Sequence, residues 1–154
     1  MILLIIIGLH FGIEGGLEQP VIGLDFYHTS GTNFNFNLGK NDLIHNVQLN
    51  LSLGGYFYKG KNPGYSLNIY NCGLMVKKIP WRFTPFFKTG IDYITRELDK
   101  NREWGFGFDY AIGCQINFYY ENINIYPSFY YSGITDFKAN AGCLGIKIGV
   151  AYEF

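Results

Sequence analysis

Charge is scarce in this chain. Only 16% of its 154 residues are charged, and 12 basic and 12 acidic side chains cancel to a formal net charge of zero. That removes the electrostatic footprint of a nucleic-acid-binding domain, so no nucleic-acid partner is expected. Cysteine is scarce as well. Cys72, Cys114 and Cys143 are odd in number and match no metal-ligand spacing. They read as small packing residues, and no cofactor or metal site is expected. Long apolar runs are missing too: a spanning helix needs about 20 such residues. The longest run, Ile2 to Ile13, has twelve. That suits the core of a secretory signal peptide, although no Lys or Arg precedes it and no small-x-small cleavage site stands near Gly15-Gly16. Residues 1–16 are therefore assigned to a truncated or atypical signal segment and 17–154 to one domain, with a buried first strand as the alternative for the apolar run. No helical periodicity, internal repeat or low-complexity linker appears.

Aromatic residues and glycine are abundant: thirteen Tyr, fourteen Phe and twenty Gly. So many rings exceed what one small water-soluble core buries. Tyrosine suits sites with one apolar and one wet end, as at a membrane interface. The rings fall on a period of two, which is that of a strand and not of a helix. Asn33, Asn35 and Asn37 alternate with Phe34, Phe36 and Leu38. From Trp104 to Phe118, large apolar residues alternate with Gly105, Gly107, Asp109, Ala111, Gly113, Gln115 and Asn117. Similar alternation gives strands near 22–27, 33–38, 47–58, 65–76, 81–93, 104–118, 123–131 and from about 139 to the end. The parity of the fourth slips near Asn71-Cys72-Gly73, which suggests a bulge. Turns are expected near 29–32, 39–42, 59–64, 77–80, 97–103, 119–122 and 132–138.

Eight strands, each with one greasy side, pose a packing problem. The inside of an eight-stranded barrel is only just filled by side chains. It has no room for Trp81, Phe83, Phe87, Phe106, Phe108 and the other rings. Placing the rings against lipid and the polar face inside removes the conflict. Closure is then required, because unpaired backbone groups in hydrocarbon are costly. The expected fold is an all-β, eight-stranded antiparallel up-and-down transmembrane β-barrel, with the N-terminal signal segment outside it. An even strand count puts both termini on one side. Trp81 and Trp104 then fall at opposite interfaces, as an aromatic girdle requires. Inside, Arg82, Lys88 and Lys147 share a narrow lumen with Asp25, Asp92 and Asp109, and Glu153 lies at the rim. Opposite charges there should pair, since an unpaired buried charge is very costly. A plugged lumen follows, in preference to an ion or proton path.

The chain ends on alternating Ile146, Ile148, Val150, Tyr152 and Phe154. Lys147, Gly149, Tyr152 and Phe154 form a polar-x-Gly-x-x-aromatic-x-aromatic pattern that resembles the terminal assembly signal of bacterial outer-membrane β-barrels. Residues 85–93, 105–118 and the last strand make residues 19–154 similar to the small OmpA/OmpX-like barrel domains. That resemblance implies a bacterial outer-membrane location and a monomer. It implies outer-membrane lipids and lipopolysaccharide as surroundings, with the barrel assembly machinery as a partner during insertion. It does not imply an activity.

Lipid A deacylases share this architecture and carry a His-x-Ser-Asn motif on the penultimate strand. Ser132 matches their nucleophile by position, but Tyr130 stands in place of the His and Gly133 of the Asn. A serine without a general base is a poor nucleophile, so Ser132 reads as a loop residue and no catalytic residue is assigned. His28 and His45 lie near strand ends without metal-ligand spacing. The basic loop Lys59-Gly60-Lys61 offers a weak contact for lipopolysaccharide phosphates. Two alternatives to a non-enzymatic envelope barrel stand: a lipid A-modifying hydrolase, and a soluble lipocalin-like carrier.

Overall fold

The computed structural model describes residues 8–44, 46–78, 82–98, 101–135 and 140–154. The strands are β1 (Leu9–Ile22), β2 (His28–Ile44), β3 (Val47–Gly60), β4 (Tyr65–Lys78), β5 (Phe83–Leu98), β6 (Asn101–Ile116), β7 (Phe118–Tyr120), β8 (Ile123–Thr135) and β9 (Asn140–Glu153). Every pairing is antiparallel and joins neighbours, in the order β6-β5-β4-β3-β2-β1-β9-β8-β7. A further β6–β8 pairing closes the sheet. Short β7 continues the line of β6 along β8, so the wall has eight strands. At the seam, Phe154 N–H donates to the Leu9 carbonyl over 2.8 Å, and Gly8 N–H to the Phe154 carbonyl over 3.2 Å.

The barrel is inverted relative to a soluble one. Along β9, Leu144, Ile146, Ile148, Val150 and Tyr152 are exposed, while Gly145, Lys147, Gly149 and Ala151 are buried. Period-two alternation turns that pattern into two faces. The same holds along β6, where Phe106, Phe108, Tyr110 and Ile112 face out, and Gly107, Asp109 and Ala111 face in. Rings cluster toward both ends of the outer wall. Tyr93, Trp104 and Phe106 lie within 5.7–6.4 Å of one another, centroid to centroid. Exposed Phe118, Tyr119, Tyr120, Tyr152 and Phe154 surround the end that carries the termini. Trp81 lies outside the described residues.

The strand count matches the expectation, but the first strand does not. Residues 9–16, assigned to a signal segment outside the barrel, are the front half of β1, paired with β2 on one side and β9 on the other. The apolar composition hid a period of two: His10, Gly12, Glu14 and Glu18 are buried, while Phe11, Ile13, Gly15 and Leu17 face outward. The stretch 22–27, expected as a strand, is largely the β1–β2 turn, where Gly23 takes a φ of 72°. Residues 29–32 and 39–42, expected as turns, belong to the long β2. The expected bulge at 71–73 is absent, since the registers of β4 with β3 and β5 run through it unbroken. Leu67 and Ile69 share a face with Asn71, Gly73 and Met75, and that face is the inside.

The strands run 13–17 residues apart from β7, whereas a tilted membrane strand needs about 9–11. The surplus lies mostly at the end opposite the termini, called here the far end. There, in the β5–β6 hairpin, exposed Arg96 pairs with Glu103 and Arg102 with Glu97 across the strands. Such a ladder belongs in water.

Candidate functional site

Among the described residues, buried charges and polar groups concentrate in the lumen, which has three tiers. At the termini end, short amides close the bore. Asn117 Nδ2 donates to Thr84 Oγ1 over 2.8 Å, and Asn117 Oδ1 accepts from Asn124 Nδ2 over 2.9 Å and from Gln115 Nε2 over 2.5 Å. Gln48 bridges Asn41 and His10. The space left among them is about 20 Å³, room for roughly one water.

The middle tier holds the charges. Lys147 Nζ lies 3.8 Å from Glu14 Oε2, and Lys88 Nζ lies 3.8 Å from Asp109 Oδ2, with all four side chains at most 6% exposed. Glu14 also accepts from Tyr126 Oη over 3.1 Å. Glu18 gathers hydroxyls: Tyr130 Oη donates over 2.5 Å, Ser132 Oγ over 3.4 Å, and Tyr58 Oη donates as well. Lys88 donates to Tyr56 Oη over 3.1 Å and to Asn35 Oδ1 over 3.3 Å, and Asn71 donates to Asp92 over 2.9 Å. The lysines also lie against ring faces, Lys147 at 4.4 Å from the Tyr130 centroid and Lys77 at 4.8 Å from that of Tyr126. Contacts of this kind stabilise a desolvated cation. Buried Glu14, Glu18, Asp92 and Asp109 against Lys77, Lys88 and Lys147 leave one excess negative charge among these groups.

Buried Tyr56, Tyr58, Tyr126 and Tyr130 fill this tier and carry hydroxyls to the charges. Two glycines make the room. A Cβ at Gly145 would lie 2.1 Å from the Tyr130 ring, and one at Gly149 would lie 2.4 Å from the Tyr126 ring. Nearer the far end, Leu67, Ile69, Ile134 and Cys143 pack with Tyr56 and Tyr58 into an apolar tier, flanked by Leu24 and Ile94.

Of the expected lumen network, Lys88, Asp92, Asp109 and Lys147 are inside. Two members are not. Arg82 is exposed before β5, and Asp25 is half-buried in the β1–β2 turn, where its carbonyl accepts from Lys61. Both fall in stretches expected as strand that lie outside the observed β1, β2 and β5. Glu14, Glu18 and Lys77 belong to the network as well; Glu14 had been placed in the leader, Lys77 in a turn, and Glu18 just ahead of the first expected strand. Extending the alternation back through His10, Glu14 and Glu18 is the signal that would have found two of them. The residues of the expected assembly signal divide by parity: Lys147 and Gly149 face the lumen, while Tyr152 and Phe154 face out with ring centroids 5.0 Å apart. Ser132 is not a loop residue. It is buried on β8, facing the lumen beside Glu18. His45 lies outside the described residues. Cys72, Cys114 and Cys143 are free thiols.

No protein-family model and no curated protein matches the chain. Solved structures do. Neisserial surface protein A superposes with a TM-score of 0.62 at 12% identity, over 96% of this chain and 97% of that one. Ail, the attachment invasion locus protein of Yersinia pestis, gives 0.62 at 14% identity, over 94% and 98%. The N-terminal β-barrel domain of Pseudomonas aeruginosa OprF gives 0.57 at 14%, over 93% and 97%. At such identities the likeness is one of fold, and the shared fold is the small eight-stranded outer-membrane barrel.

Proposed function

We propose that this chain is an integral outer-membrane β-barrel protein of the OmpA/OmpX-like kind. In this reading it is a monomer with a plugged lumen, acting in envelope structure or at the cell surface without catalysis. The observation that carries this is the inverted wall: aliphatic and aromatic side chains outside, carboxylates and lysines inside. In water that arrangement exposes apolar area on every strand; in hydrocarbon it is the stable one. A lipocalin-like carrier needs the opposite orientation through the middle of its bore. The outward pair Tyr152 and Phe154 on the last strand, with Lys147 and Gly149, serves as the signal for the barrel assembly machinery. Outer-membrane lipids and lipopolysaccharide are the surroundings of the wall.

The plug rests on three features: the amide closure at the termini end, two buried ion pairs and four tyrosine rings. Ser132 belongs to the same packing. Its proton goes to Glu18, which two tyrosines share, and this supports a structural role for the hydroxyl. The test is cell fractionation with a heat-modifiability gel and planar-bilayer recording. Outer-membrane recovery, mobility that changes on boiling in SDS, and no discrete conductance steps support the proposal. Extraction into detergent-free buffer overturns the membrane reading, and regular conductance steps overturn the plug.

A further inference from the structure

Lys77, near the end of β4, lines the cavity of about 20 Å³ among the closing amides. It is 4% exposed. Its ammonium lies 4.8 Å from the Tyr126 ring centroid. Among the described residues, no oxygen accepts a hydrogen bond from that ammonium and no carboxylate stands within 4 Å of it. Lys88 and Lys147, by contrast, each have a carboxylate at 3.8 Å. An ammonium carries three donors, and a buried charge without a partner is very costly. Glu14 is the carboxylate that acts on Lys77 electrostatically, and Lys147 already pairs with it. Two ammoniums thus share one carboxylate, which leaves one positive charge in excess on this side of the lumen. The negative excess of the whole network sits elsewhere, on Glu18 and Asp92, whose hydrogen bonds come from hydroxyls and an amide.

The other lining groups add donors. Gln115 Nε2 and Asn124 Nδ2 each spend one hydrogen on Asn117 Oδ1, over 2.5 and 2.9 Å, and have a second. Exposed Tyr119 and half-buried Glu153 also line the cavity, so it reaches the surface at the termini end. Glu153 is not among the groups that act on Lys77. Water fits the volume and would serve Asn124 Oδ1, which has no protein partner. It brings no charge to set against the ammonium.

We infer that this cavity binds one monatomic anion of the chloride class, held by Lys77 Nζ and the second amide hydrogens of Gln115 and Asn124. The room is roughly that of one water, which excludes phosphate and sulfate. The inference goes beyond the envelope role, and a seated halide is compatible with a plugged lumen.

The test is an NMR titration of the full chain in lipid nanodiscs, with sodium gluconate replaced stepwise by sodium chloride at constant ionic strength. Saturable shifts of the Gln115 and Asn124 side-chain amides are expected, with no such response when sulfate replaces gluconate. Lys77→Met should weaken chloride by at least about tenfold, the loss of one charge-assisted hydrogen bond. Ala151→Val keeps the ammonium but fills the space, since Ala151 lines the same cavity, and should abolish the response. Heat-modifiability of each variant verifies that the barrel has formed. Chloride shifts that are absent, that grow linearly without saturating, or that persist at the same affinity in a folded Lys77→Met barrel overturn the inference. A saturable sulfate response at the same amides overturns the selection by size.

Discussion

Removing Lys88 tests the lumen most sharply. Its ammonium sits 3.8 Å from Asp109, both side chains are at most 2% exposed, and it also donates to Tyr56 and Asn35. At an effective dielectric near 20, two unit charges at that separation interact by about 4 kcal/mol. Breaking one buried pair by removing a partner costs about 3–5 kcal/mol, because the other charge is left without compensation. Lys88→Met keeps most of the volume and removes the charge. It leaves Asp109 and Asp92 on neighbouring strands with the excess negative charge of the network doubled. Urea unfolding of barrels refolded in lipid vesicles should show a loss of about 3–5 kcal/mol. Lys88→Met combined with Asp109→Asn should recover much of it, since a pair replaced on both sides is often near neutral. A single variant that loses under about 1 kcal/mol, the scale of an exposed pair, together with a double variant no better than the sum of its parts, would refute the network.

Other outcomes follow from the same geometry. Gly145→Ala drives a Cβ into the Tyr130 ring and should cost about 1–3 kcal/mol in the same assay; combining it with Tyr130→Leu should restore most of that. Ile112→Arg on the outer wall should cost about 2–4 kcal/mol and Trp104→Arg near the far rim about 0–1, the depth dependence of a lipid-facing surface. Equal costs at the two positions would count against a bilayer around the barrel. Phe154→Ser should lower the yield of heat-modifiable barrel in cells far more than refolding of the purified chain into vesicles, as measured by gel shift in both settings. Mass spectrometry of lipid A from cells with and without the protein should show the same acylation; a lost acyl chain would make the barrel a hydrolase.

Much of the wall was legible because lipid and lumen divide each strand by parity, and parity survives in composition. β6 and β9 alternate so cleanly that their faces are readable from residue type alone. β1 was not, because its inward positions include Gly12 beside His10 and Glu14 in a run dominated by Ile and Leu. Apolar content outweighed period, and the strand passed for a leader. In β4, an inward Leu67 and Ile69 looked like a slipped register. The physical cause is that the far tier of the lumen is itself apolar, so a greasy residue there does not mean an outward one. The network was half legible for the same reason. Lys88, Asp92, Asp109 and Lys147 sit in mid-strand, where parity is dependable; Asp25 and Arg82 sit past strand ends, where it fails. The cavity beside Lys77 was not legible, since it depends on which amides meet where the bore closes.

Adjacent residues of one strand live in different solvents. Ala111 and Ile112 test it directly, being 2% and 60% exposed on β6. With methyl-labelled protein in nanodiscs of protonated lipid, NOEs from acyl-chain protons to Ile112 and Ile148, and none to Ala111 and Met75, are predicted. Acyl-chain NOEs to Ala111 and Met75, with water contacts at Ile112 and Ile148, would contradict it.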